Sequence, residues 1–232
     1  MKKLRIAPPP EGFTLAEVLI TLGIIGIVAA LTMPTLISSH KNKVTVSKLK
    51  KAYSTLSQAF QMSESVNGSS ADWEAPDTIG AQAYYEKYWK PYFNNPTRCN
   101  TYNECGYPKI VAFHHLNGAV ASIGTNADPN SLIEFYLPDG TLYMMHTTFG
   151  GDNGKFYIIH VDINGGKGPN VYGKDLFKFR YILGKGIYAD GHYTTSSGAT
   201  ASTSEIEQNC SSSGSGTYCA ARIMNDGWKI KY

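Results

Sequence analysis

The stretch from Glu11 to Leu31, "EGFTLAEVLITLGIIGIVAAL", decides how the rest of the chain is read. It is almost wholly apolar, yet it carries one carboxylate, Glu17, near its start. A charged side chain inside a bilayer costs roughly 2.5–3.5 kcal/mol on insertion scales, so it normally comes with a partner or a function. From Phe13 to Ile37 there is no other charge. As a helix rising about 1.5 Å per residue, this run is long enough to cross a hydrocarbon core about 30 Å thick. Ahead of it, "MKKLRIAPPPEG" reads as a short basic leader ending in Gly12. A secretory signal places its small-residue cleavage site after the apolar core, so the order of parts here is different. Lys2, Lys3 and Arg5 predict a cytoplasmic N-terminal side and a body directed outward.

The remainder has a different character. A mean hydropathy of −0.24 over 232 residues describes a soluble body with one greasy segment, which excludes a polytopic membrane protein. The net charge of +3 is too small to make a case for nucleic-acid binding. The cysteines fall in two close couples, Cys99 with Cys105 and Cys210 with Cys219, and neither has zinc-site spacing. Disulfides are the expectation, and with them an oxidising compartment. Three connectivities are open. The one with both local bonds, Cys99–Cys105 and Cys210–Cys219, is favoured because each bond staples a polar loop with little core of its own.

Residues Gly12-Phe13-Thr14-Leu15-Ala16-Glu17, followed by "VLITLGIIGIVAALTMPTL", closely resemble the prepilin signature of type IV pilins and type II secretion pseudopilins. The likeness covers about residues 2–37. It implies cleavage after Gly12 by a membrane aspartyl peptidase, N-methylation of the new Phe13 amine, and retention in the inner membrane before assembly into a helical filament. Glu17 then pairs with the Phe13 amine of a neighbouring copy, so that a charge expensive on its own becomes a register device. Partners implied are copies of the chain, other pilins or pseudopilins, the prepilin peptidase, the inner-membrane assembly platform and membrane lipid. Pro34 fits a long helix that bends, since proline removes one backbone hydrogen bond. Gly23 and Gly26 permit close helix approach.

The resemblance also implies a fold: α+β, pilin-like, with a long N-terminal helix packed on an antiparallel sheet and a disulfide-bounded C-terminal region. The expected layout is leader 1–12, apolar helix 13–37, amphipathic continuation 38–62 and a head over 63–232. The residues agree with it. Val46, Leu49, Tyr53, Leu56 and Phe60 recur at three- and four-residue spacing, as one apolar helix face requires. Lys41, Lys43, Lys48, Lys50 and Lys51 decorate the early part of this helix, as solvated residues at the membrane boundary or as contacts to anionic headgroups or, less favoured, DNA. Residues 65–77 read as a linker, and Tyr84, Tyr85, Tyr88, Trp89 and Tyr92 as an aromatic helix packed on a sheet and stopped by Pro91. Strands are expected at 109–114, 119–123, 131–137, 141–148 and 155–161, in a meander. Pro138-Asp139-Gly140 supplies the turn of one hairpin. Residues 194–216, rich in Ser, Thr and Gly, read as a surface excursion.

One loop, "DINGGKGPNVYGKD" (162–175), collects hard oxygen ligands: Asp162, Asn164, Asn170 and Asp175. Glycines let it turn tightly, as calcium asks, although it lacks EF-hand spacing. Major pseudopilins bind calcium in a C-terminal loop, so the resemblance strengthens the expectation of a structural Ca²⁺ and of no other cofactor. His160, Asp162 and His192 imitate a non-haem iron triad, but the sequence has no cosubstrate fingerprint and no hydrolase motif. His114, His115 and His146 read as half-buried residues on strands. The expected role is a structural filament subunit, not an enzyme. The alternatives are a type IV pilin serving adhesion, motility or DNA uptake, and a membrane-tethered surface-binding protein.

Overall fold

The structure, a computed structural model, describes residues 12–99, 101, 103–107, 113–123, 132–147, 156–193 and 199–232. The leader residues 1–11, the strand ends expected at 109–112, 131, 148 and 155, and residues 194–198 of the Ser/Thr/Gly-rich stretch lie outside them. The chain forms two compact units, Met1–Asn42 and Lys43–Tyr232. Helix α1, Leu15–Asn67, begins in the first and ends in the second.

In the first unit, side chains from Phe13 to Ile37 are exposed on all sides of the helix; Phe13 is 89% and Leu31 73% accessible. By length and composition this helix can cross a membrane. Pro34 lies within α1 without ending it.

In the second unit α1 becomes amphipathic. Leu49, Ala52, Leu56, Ala59, Phe60 and Ser63 are buried on one face, and the helix runs to Asn67, beyond the expected end near Met62. Gly68, at φ 78°, turns the chain out of it. The expected linker is therefore partly helix. It also holds a 3₁₀ turn at Ser70–Asp72 and the start of α2, Pro76–Ile79. Helix α3, Ala81–Tyr88, ends before a 3₁₀ turn that contains Pro91.

Eight strands follow: β1 Thr97–Arg98, β2 Phe113–His114, β3 Val120–Ala121, β4 Leu132–Tyr136, β5 Leu142–His146, β6 Phe156–Asp162, β7 Leu176–Ile182 and β8 Gly186–Ala189. Six form one antiparallel sheet in the order β1-β4-β5-β6-β7-β8, and β2 pairs with β3 in a separate ribbon. The β4–β5 hairpin closes as expected, with Gly140 at φ 84° and Thr141 N donating to Asp139 Oδ1 at 3.0 Å. Strands β1, β7 and β8 had no counterpart in the sequence reading.

Both faces of the sheet are covered. Ile133, Phe135, Tyr143, Ile159, Phe177 and Phe179 pack with the buried face of α1 and with the aromatic residues of α3. Trp73 stacks on Tyr88 at 4.5 Å, and Tyr84, Tyr85, Tyr88 and Trp89 are core residues. The opposite face, through Leu132, Leu142, Met144 and Leu176, meets a second layer containing Cys99, Cys105, Tyr107, Phe113 and Tyr172. Asp190, after β8, is buried and binds both Arg180 (2.5 Å) and Lys178 (3.0 Å), which makes two cations of β7 tolerable there.

The disulfides are the local pairs Cys99–Cys105 and Cys210–Cys219. Residues read as a surface excursion include a helix, α4 Thr203–Asn209, which the second disulfide ties to α5, Cys219–Asn225.

Candidate functional site

Two regions carry the chemistry singled out in the sequence. The first is the start of α1. Thr14 Oγ1 accepts from Glu17 N at 3.3 Å, while Glu17 Oε2 accepts from Thr14 N and Thr14 Oγ1, both at 2.8 Å. This is a capping box, with each side chain satisfying a backbone donor that a helix start leaves open. The Thr-x-x-Glu spacing announces it, and the sequence reading passed over it. Glu17 thus has a local role, and among the described residues it uses only one of its two oxygens. Phe13 stands beside the cap, and Gly12 has no atom close enough to meet an added Cβ.

The second region is the glycine-rich loop. All four oxygen residues expected there come together. Asp162 Oδ1 accepts from Asn164 N (3.0 Å), and Asp162 Oδ2 from the Tyr107 hydroxyl (2.8 Å). Asp175 accepts from Asn170 N and Val171 N, each at 2.8 Å, and from Asn164 Nδ2 at 3.3 Å. Gly166 lies so close to the turn after Cys105 that a Cβ would fall 1.8 Å from Gly106 O. The loop is therefore fixed on the second layer.

The electrostatics are costly. Both aspartates are buried. Burial pushes the Asp162 carboxyl up to about 7, with the charge of Asp175 adding to the effect, and burial raises Asp175 too. Asn164 Oδ1 and Asn170 Oδ1 are buried and meet no donor among the described residues. Two buried acids beside two orphaned amide oxygens fit a hard cation such as calcium. Among the described residues no three His, Cys, Asp or Glu side chains gather as metal ligands, so a cation here relies on the amides.

The iron-like triad does not assemble. His160 is buried and bonds Tyr172 (2.8 Å), Asp162 is held by Tyr107, and His192 bonds Asn225 (2.8 Å). His114 and His146 are half-buried on β2 and β5, and His115 follows β2.

No curated protein and no solved structure matches the chain. A family description, "Family of unknown function (DUF6613)", matches residues 35–232, from just after Pro34 through the whole of the second unit. The α+β body with its two disulfides is thus a member of that family of unknown function, DUF6613, to which the chain belongs.

Proposed function

We propose that this chain is a prepilin-like filament subunit. In this reading it is cut after Gly12 by a prepilin peptidase, methylated on Phe13 and held in the inner membrane by its apolar helix. The assembly platform then draws it into a type II secretion pseudopilus. What carries the reading is the start of α1, apolar on all sides, with Phe13 just before it and Glu17 in its first turn. Such a surface needs lipid before assembly and neighbouring helices after it. Because Glu17 spends only Oε2 on its cap, Oε1 remains for the Phe13 ammonium of the next copy. A long helix with an antiparallel sheet on its C-terminal half supports a pilin-like layout. The 162–175 loop holds a structural calcium in this proposal, bound by Asp162, Asn164, Asn170 and Asp175.

N-terminal peptide mass spectrometry of membrane and sheared-filament fractions from the host tests the proposal. A peptide beginning at methylated Phe13 in sheared filaments is the expected result. Retention of Met1, with no chain in any filament fraction, overturns it and leaves an anchored ectodomain. Deletion that stops secretion supports a pseudopilus, whereas loss of twitching alone supports a type IV pilus.

A further inference from the structure

A cleft of about 340 Å³ opens beside the second disulfide, between α4 and the loop that leads to α5. It is a shallow depression open to solvent, and its volume stands at the lower end of the roughly 300–1,000 Å³ of small-molecule sites. One wall is the face of α4 formed by Glu205, Gln208 and Asn209, at the spacing that aligns side chains along a helix. The other wall is Ser213, Gly214 and Tyr218.

The walls are rigid. Asn209 Nδ2 donates to Ser215 Oγ (3.0 Å) and Thr217 Oγ1 (3.3 Å), and its Oδ1 accepts from Tyr218 N (2.8 Å). Gly216 N donates to Asn209 O at 2.8 Å. Gly214 comes so near the end of α4 that a Cβ would stand 2.1 Å from Asn209 O. Glu205 Oε2 is pinned by Ser202 N and Ser202 Oγ, both at 2.7 Å, and those bonds hold its carboxyl below the usual glutamate range.

Other polar atoms in the cleft are unspent. The Gln208 amide and Glu205 Oε1 make no hydrogen bond among the described residues. Among the described residues no cation lines the cleft, and Arg222 donates to the carbonyls of Glu207 and Cys210. An anionic ligand would therefore meet Glu205 with nothing to offset its charge. What the cleft offers is one fixed acceptor, an amide that both donates and accepts, and an aromatic ring. A ring of neutral hydroxyls with a C–H face matches all three.

We propose that this cleft binds a saccharide. The ionised Glu205 and the Gln208 amide take neighbouring hydroxyls, and Tyr218 takes the apolar face of the sugar. The site stands apart from α1 and does not depend on the filament reading.

The test is saturation-transfer difference NMR on the full chain in phosphatidylcholine nanodiscs, which avoid sugar-based detergents. The probes are glucose, galactose, mannose, N-acetylglucosamine and chitobiose. At least one is expected to receive saturation with a Kd of about 1 mM, and Gln208→Ala, an exposed position, to weaken it about 10-fold or more. Tyr218→Ala should do the same where it folds, and Gln208→Ala carries the test where it does not. Transfer to none of the probes, or transfer undiminished by Gln208→Ala, overturns the proposal.

Discussion

Tyr107 donates its hydroxyl to Asp162 Oδ2 at 2.8 Å, joining the turn closed by Cys99–Cys105 to the first residue of the glycine-rich loop. Removing one partner of a buried hydrogen bond to a carboxylate costs about 1–3 kcal/mol. Tyr107→Phe is expected to lower the urea midpoint of the detergent-solubilised chain accordingly, with no change in slope. An unshifted midpoint would mean that water replaces the hydroxyl.

If the loop binds calcium as proposed, the ion stabilises the fold by mass action, about 2.7 kcal/mol at a concentration 100 times Kd. For a chain of this size that corresponds to a rise in Tm of about 5 °C or more in calcium over EGTA. Asp175→Asn should remove most of the response. Identical melting curves in calcium and in EGTA would sink the assignment.

Glu134 on β4 is buried, and burial pushes its carboxyl up to about 7 against the opposing charge of Arg98. The folded chain thus favours the protonated acid. Its contribution to stability is complete below about pH 4.5 and is lost as pH rises through 7, a change of roughly 3 kcal/mol. His146 works in the other sense: burial, with the charge of Lys178, lowers it to about 4, so stability falls as pH drops below 6.5. Glu134→Gln should therefore gain on the wild type between pH 5 and pH 8 in urea unfolding. Parallel profiles would show that Glu134 does not set the alkaline loss.

The cap and the proposed filament contact at Glu17 separate cleanly. Gln also closes a capping box, whereas Ala does not. Glu17→Gln should retain helix content yet fail to enter sheared filaments, and Glu17→Ala should also lose about 1 kcal/mol of helix stability. Normal filaments from Glu17→Gln would remove the charge from the assembly step.

How much could be read in advance depended on whether the partner of each residue was local. Strands β4, β5 and β6 were legible as short runs of β-prone residues, and the Pro138-Asp139-Gly140 turn marks the join of the first two within a few residues. The aromatic run at 84–89 was correctly placed in the core, since its rings are spaced to face one way along a short helix. Strand β7 was missed: Lys178 and Arg180 become compatible with a covered face only through Asp190, which arrives after β8. Helix α4 was hidden in a Ser/Thr/Gly-rich stretch, although Ser202 and Glu205 carry its capping box openly. The 162–175 loop was legible as a set of oxygen ligands. Its clamp from Tyr107 was not, because that contact spans distant sequence.

Each disulfide stands beside a place where the chain meets itself with no room for a side chain. Gly166 abuts Gly106 next to Cys105, and Gly173 comes so near Cys219 that a Cβ would lie 2.6 Å from its sulfur. Glycine makes these approaches sterically free but leaves them entropically loose, and the covalent link takes up that looseness. The consequence is chemical. Each of these two seams is held by a bond whose formation removes two electrons and two protons from a pair of thiols, so a reductant acts on both seams before it acts on the sheet.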